Sequence, residues 1–407
     1  MEVMHLRIDK GLFETALREK LSDETIQVLE ITTHPLSEKG VNFLSDLHEA
    51  SIRYTVTSKN GKTKYERSTN LVVKVEPSNE VSRELVRQQD LFLTELQVLR
   101  DVLPKIKQIV GHQLGPQLWY GSENPPVLFM EDLRKRAFIM KNRQKGLSFE
   151  HCRMAIQQMA RLHAGSVAIF EKHPAMIEAF RDGGIVSTKC PTSFIRMMEV
   201  SLLRIGKEIR TWSDEKCANT ADKLFKLAKN IGPRCVDVYR YDPDEFCVLN
   251  HGDCWINNMM FRENEKGQPL ENILVDYQMS VYTSPVIDLI YFLNICPEFK
   301  VKYDNDDYFL EIYLNVLEET MRKIGCKTKP PTIRQLKEAV YKRRIYAVFS
   351  GIVLYLRMMA NKEDTEDFTQ VLKDYAGETK MDVFRNPDAV KLAHKMIPVM
   401  NERGYFD

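Results

Sequence analysis

His251-Gly252-Asp253-Cys254-Trp255-Ile256-Asn257-Asn258 follows directly on the apolar stretch Phe246–Asn250. Fifteen residues beyond Asn258, a second apolar stretch, Ile273-Leu274-Val275, ends in Asp276-Tyr277-Gln278. With Met259–Phe261 between them, the pattern is a strand, a tight loop and a hairpin that brings a second acid back to the loop. Asp253 has no Lys or Arg beside it in sequence and is the candidate proton acceptor. Asn258 and Asp276 offer oxygen donors of the kind a hard Mg²⁺ ion takes when it also holds phosphates. These are the parts phosphoryl transfer requires: positioning, charge neutralisation and a base on the attacking hydroxyl.

Helical periodicity surrounds this β-rich island. Ser148 is placed to cap a helix running to about His173, where Pro174 ends it. Asp306–Ile324 and Tyr341–Met359 each gather their apolar residues on one face. Within the last of these, Tyr346, Phe349, Tyr355, Met358 and Met359 read first as core, and second as a wall for an apolar acceptor. His163 reads as a satisfied core residue. Asp288 reads as a carboxylate at a helix N-terminus, with a brace for the catalytic loop as the second possibility.

The first 130 residues are of another kind. Ile52–Thr57 and Leu71–Val75 have strand character on either side of an Asn60-Gly61 turn signal, and Val127–Met130 is a further apolar run. Between Asp90 and Leu103 the leucines recur at helical steps, and Pro104 fits a stop nearby. Lys74, inside Leu71-Val72-Val73-Lys74-Val75, is either an edge-strand charge or a phosphate-binding lysine. Beside the second-region constellation, the phosphate reading is favoured. Its carboxylate partner is Glu95 or Glu84, which spacing alone does not separate. Lys39-Gly40-Val41-Asn42-Phe43-Leu44-Ser45 is a weak candidate for a loop over the phosphates, with one glycine. The expected division is residues 1–130 and 131–407, with the joint near Glu131–Leu133.

Composition sets outer limits. The chain has 407 residues, 58 Lys+Arg against 57 Asp+Glu, 43% hydrophobic and 28% charged residues. Such a chain has the makings of two folded domains, and disorder as its main state is excluded. A charge of +1 argues against a nucleic-acid backbone binder. No apolar run reaches signal-peptide or membrane-spanning length. The eight cysteines form no C-x-x-C pair, which argues against a zinc ribbon or redox motif and suits reduced thiols. A cytoplasmic monomer that touches neither nucleic acid nor membrane is expected.

Taken together, His251–Phe261 (HGDCWINNMMF), Ile273–Leu293, Val127–Leu133 (VLFMEDL), Lys141–His151 (KNRQKGLSFEH) and Met159–Ser166 (MARLHAGS) resemble the ecdysteroid kinase-like family. That family is related to choline kinases and aminoglycoside phosphotransferases. The similarity runs from about Gly40 to at least Arg357. It implies an α+β, two-lobed protein-kinase-like fold, with a small antiparallel-sheet lobe and a larger, mainly helical one. It also implies ATP- and Mg²⁺-dependent phosphorylation of a hydroxyl on a small molecule, an ecdysteroid or a similar apolar compound. By the family pattern Asp253 is the catalytic base, Asn258 and Asp276 are the metal ligands, and Lys74 contacts the α/β-phosphates with Glu95 as its ion-pair partner. Phe129–Leu133 is the hinge, placing Met130, Glu131, Asp132 and Leu133 at adenine, and Gly40, Asn42 and Ser45 fall in the phosphate loop.

The chain departs from the family where Val41 replaces a frequent Glu and where Asp276-Tyr277-Gln278 replaces Asp-Phe-Gln. A protein kinase is disfavoured, because Gly252 stands where those enzymes have Arg and only eleven residues separate Asp276 from Asp288. The alternatives are a choline- or ethanolamine-type kinase, or a non-catalytic binding module on the same fold.

Overall fold

A computed structural model describes residues 8–36, 44–58, 61, 63–364, 371 and 382–407. Gly40 and Asn42 of the expected phosphate loop lie outside the described residues. The chain separates into two compact units, Met1–Asp101 with Gly115–Phe138, and Val102–Leu114 with Ile139–Asp407.

The first unit is built on an antiparallel sheet of β1 (Gln27–Pro35), β2 (Asp46–Thr57), β3 (Lys64–Val75), β4 (Leu118–Glu123) and β5 (Pro126–Glu131), in the order β1-β2-β3-β5-β4. Along β2, His48, Ala50, Ile52 and Tyr54 are buried in alternation, as a strand with one face on a core requires. The helix Lys10–Leu21 covers that face. Its Phe13 and Leu17 join Ile52, Leu71, Val73, Val127 and Phe129 in one cluster, with the Phe13 and Phe129 rings stacked at 4.7 Å. The expected strands fall inside β2, β3 and β5. β1 and β4 were not legible, because β1 is a mostly exposed edge strand without apolar alternation and β4 is short and half-buried.

The unit does not close at Glu131–Leu133 as expected. Asp132 accepts from Arg134, and Arg134 reaches back to Glu49 of β2 at 3.0 Å, so the chain stays tied to the sheet as far as Phe138. Pro104 is no stop either. The run is α-helical over Leu91–Gln97, π-helical over Val98–Val102, and α-helical again over Leu103–Val110. Pro104 falls at the switch from π- to α-helix, where the change in hydrogen-bond register accommodates its missing N–H.

The second unit is mainly helical. Phe149–Lys172 begins after Ser148 and packs along Asp306–Ile324, whose Phe309, Tyr313 and Leu317 are buried. Every residue of Val286–Ile295 is buried. The expected helix over Tyr341–Met359 is broken. Tyr341 belongs to Ile333–Lys342 and is exposed, and the rest runs as Arg344–Ala347, a π-helical stretch Val348–Tyr355, and Leu356–Met359. The β-rich island appears as Val248–Asn250 paired with Val281–Thr283, and as a hairpin of Met259–Glu263 with Pro269–Leu274. Among the described residues, no helix is long and apolar enough to cross a membrane.

Candidate active site

The loop after Val248–Asn250 takes its shape from groups around it. Asn250 donates through Nδ2 to the carbonyls of Val281, Thr283 and Ser284 at 3.2–3.3 Å, and its Oδ1 accepts from the Asp288 amide at 3.3 Å. Gly252 follows at φ +84°, and a Cβ there would lie 1.8 Å from the Met279 carbonyl oxygen. No other residue fits, on backbone conformation or on space.

Asp288 fixes the next step. Its carboxylate accepts the backbone amides of His251 at 2.7 Å and Gly252 at 2.8 Å. His163 Nε2 donates to it at 3.2 Å, while His163 Nδ1 shares a hydrogen bond with the Tyr313 hydroxyl at 2.8 Å. Burial pushes the Asp288 carboxyl up. The His163 bond and charge, the His251 side chain and the Gly252 amide outweigh it and hold the group below its ordinary value. Asp288 is thus a brace, and His163 is a buried residue satisfied on both ring nitrogens.

His251 ties this loop to the returning strand. Nε2 meets the Val275 carbonyl at 2.9 Å and the Asp253 amide donates toward Nδ1 at 3.3 Å. The Val275 amide in turn donates to the Asn258 carbonyl at 2.9 Å. That bond sets Asn258 against the residue preceding Asp276.

Asn258 Nδ2 donates to the Asp253 carboxylate at 2.9 Å and to the Asp253 carbonyl at 3.0 Å. Tyr291 also donates its hydroxyl to Asp253. Burial and the negative charge of Asp276 push the Asp253 carboxyl up to about 7, against the two hydrogen bonds. Asp276 sits in the left-handed region at φ +69°, and Gln278 Nε2 reaches its Oδ2 at 3.3 Å. A strained carboxylate beside a second one is a local excess of negative charge. Asn258 Oδ1 and the Asp276 oxygens form the hard donor set that a magnesium ion takes, so these residues fit such an ion.

In the first unit, Lys74 lies on β3, the middle strand of five, paired with Leu47 on one side and Leu128 on the other. The edge-strand reading is therefore excluded. Lys74 and Glu95 form an ion pair with side chains 3% and 1% exposed. Glu84, on Glu80–Gln88, instead accepts from Gln88 on the surface. Ser45 is buried just before β2. Met130 and Leu133 are buried, the Glu131 amide donates to the Gln117 carbonyl at 2.9 Å, and Asp132 is occupied by Arg134.

Tyr291, Asn250 and Tyr313 escaped the sequence reading. For Tyr291 there was a signal: in Val286–Ile295 a hydroxyl sits one helical turn beyond Asp288, so it needs a buried partner. Of the suggested acceptor wall, Tyr346 and Phe349 are fully buried core, stacked on each other at 5.7 Å. Tyr355, Met358 and Met359 instead line a small cavity with Trp255 and Ile256 of the loop after Asp253.

The ecdysteroid kinase-like family model matches residues 39–326 of this chain. No curated relative matches it. Among solved structures, the ADP-bound aminoglycoside phosphotransferase APH(2'')-Ib is 16% identical, covering 83% of this chain and 99% of its own, with a TM-score of 0.35. The streptomycin–ATP–APH(2'')-IIa ternary complex is 17% identical, covering 78% and 88%, with a TM-score of 0.37. At those scores the fold stands on the chain's own topology, an antiparallel-sheet unit and a larger helical one.

Proposed function

The chain belongs to the ecdysteroid kinase-like family, and on that premise we propose that it uses ATP and Mg²⁺ to phosphorylate a hydroxyl group of an ecdysteroid or a similar hydroxylated apolar metabolite or xenobiotic. The observation that carries the proposal is the constellation around Asp253. Its carboxyl is held by Asn258 and Tyr291, is pushed up to about 7, and faces the charge of Asp276 on a loop braced by Asp288. A carboxylate fixed by two donors on a braced loop is suited to take the proton of an attacking hydroxyl.

Asp253 accepts that proton as the hydroxyl oxygen bonds to the γ-phosphorus, the bond to the bridging oxygen breaks, and ADP leaves. Asn258 and Asp276 would hold Mg²⁺, whose charge, when bound, neutralises the phosphates. In the first unit, Lys74, held straight by Glu95, is assigned to the α/β-phosphates. The backbone of Met130, Glu131, Asp132 and Leu133 is assigned to adenine, and Ser45 to the phosphate loop with Gly40 and Asn42. Eight cysteines free of disulfides suit a reducing compartment, so a cytoplasmic location belongs to the same proposal, and a monomer is proposed with it.

The test is incubation with ATP, Mg²⁺ and a panel of steroids, amino alcohols and plant-type glycosides, read as a phosphate mass gain. Gain on a hydroxylated apolar compound is expected. Gain on amino alcohols alone would move the assignment to a choline-type kinase. A magnesium-dependent thermal shift with ATP but no product from any acceptor would leave a binding module.

A further inference from the structure

The cysteine spacing argues against a zinc ribbon, but folding brings one cysteine to partners far away in sequence. Asp214 precedes the short helix Glu215–Ala218, Cys217 lies within it, and His394 projects from Pro387–Glu402. His394 Nδ1 lies 2.8 Å from Asp214 Oδ2, Cys217 Sγ lies 3.4 Å from the same oxygen, and Sγ to Nδ1 is 3.9 Å. Among the described residues, this is the one group of three His, Cys, Asp or Glu side chains whose donor atoms converge on a common point.

Two readings of such a trio can be separated by geometry. A nucleophilic relay needs the acid on one imidazole nitrogen and the thiol on the other. Here both approach Nδ1, so no relay exists. Three donors around one point are what a metal ion requires. Bonds of about 2.3 Å to sulfur and about 2.0–2.1 Å to nitrogen and oxygen give tetrahedral edges of roughly 3.3 Å between N and O and roughly 3.5–3.6 Å from sulfur to each. The observed edges lie within about half an ångström of these, and the longest movement needed is a parting of Asp214 and His394.

The surroundings hold the donors in place. Asp214 Oδ1 is occupied by the Lys216 amide at 3.0 Å, which leaves Oδ2 as the inward ligand. Trp212 stacks on the His394 ring at 4.4 Å, and Phe384 meets Trp212 edge-on at 5.1 Å, so the imidazole is held by packing as well as by Asp214. Cys217 is fully buried, while the Asp214 and His394 side chains are 30% and 41% exposed. The fourth coordination position therefore opens to solvent.

We propose that Asp214, Cys217 and His394 form a site for a borderline-soft dication of the zinc class, closed by water and tying the C-terminal helix to the Glu215–Ala218 segment. A sulfur, nitrogen and oxygen donor set selects zinc over magnesium, which sets this site apart from the one assigned to Asn258 and Asp276. Binding deprotonates the thiol, and its proton leaves to solvent as the metal–sulfur bond forms. The ion clips together positions 180 residues apart. The inference is independent of the phosphotransfer reading.

The full, untagged chain is loaded with zinc, dialysed, and analysed for metal. In parallel, cobalt is titrated while thiolate-to-cobalt absorption and Trp212 fluorescence are followed. One zinc per chain, a thiolate band and quenching of Trp212 are expected. His394→Ala, at an exposed position that leaves the core intact, should weaken binding by more than the roughly 10–100-fold that outer-shell changes cost. Cys217→Ser should abolish the thiolate band. Because Cys217 is buried, its variant is read only with an unchanged circular dichroism spectrum, and His394→Ala decides otherwise. No zinc retained by the wild type, equal retention by His394→Ala, or cobalt bound without a thiolate band would each overturn the site.

Discussion

Asp253 is under opposite demands from chemistry and from stability. Its folded value of about 7 lies above the ordinary 3.8, so between those pH values the folded chain keeps a proton that the unfolded chain has released. Stability therefore falls as pH rises across that window, and the cost is complete above it. Asp253→Asn removes the charge and keeps the shape. In magnesium-free buffer at about pH 8 the variant should melt above the wild type, the gain shrinking toward about pH 4. Phosphate transfer should drop by at least about 10²–10⁴-fold, while ATP still shifts the melting temperature. A variant that melts lower at pH ~8 would remove the conflict assigned to Asp276. At this scale the sequence was informative where partners are close in the chain. Asp253 and Asn258 are five residues apart and carry their geometry in the motif. Tyr291 was missed because its bond to Asp253 is made across 38 residues, by the second face of a helix buried on all sides.

Elements explain why some expectations needed the fold to settle them. Whether Lys74 is an edge charge depends on strand order, and β5 returns beside β3, with β4 outside it, only after an intervening helical stretch. Glu84 and Glu95 both follow β3 on helices, and no periodicity says which helix turns its acid toward the sheet. The π-helical stretches at Val98–Val102 and Val348–Tyr355 were equally hidden, since an extra residue per turn leaves the apolar pattern nearly intact. The Lys74–Glu95 pair then makes an element-level prediction. Both side chains are almost without solvent contact. Removing one partner leaves a buried charge, and Lys74→Met should cost about 3–5 kcal/mol in urea unfolding. Replacing both apolar-for-charged, as Lys74→Met with Glu95→Met, should recover most of that loss. A double variant as unstable as the sum of the singles would mean that the two residues hold the sheet and helix separately.

For the whole molecule, the composition gave a near-zero charge but not how it is distributed. Part of that charge is cancelled in ion pairs. Arg87 meets Glu76 at 2.7 Å, Arg134 meets Asp132 at 2.7 Å and Glu49 at 3.0 Å, Arg343 meets Glu245 at 2.5 Å, and Arg403 meets Asp306 at 2.5 Å. The more exposed of them, such as Arg87 with Glu76, add little stability, and their effect is to shorten the range of the positive field. A polyanion needs the reverse, a face on which several cations act together and release counterions from the phosphates. A cation already spent on a carboxylate 3 Å or less away releases few. The chain should therefore show no measurable retention of duplex DNA in a mobility shift at about 0.15 M salt. Where weak binding is forced at low salt, the slope of log K against log salt should stay below that of about two phosphate contacts. A steep slope would reveal a basic face that the pairing does not neutralise, and would reopen nucleic acid as a partner despite the balance of 58 cations and 57 acids.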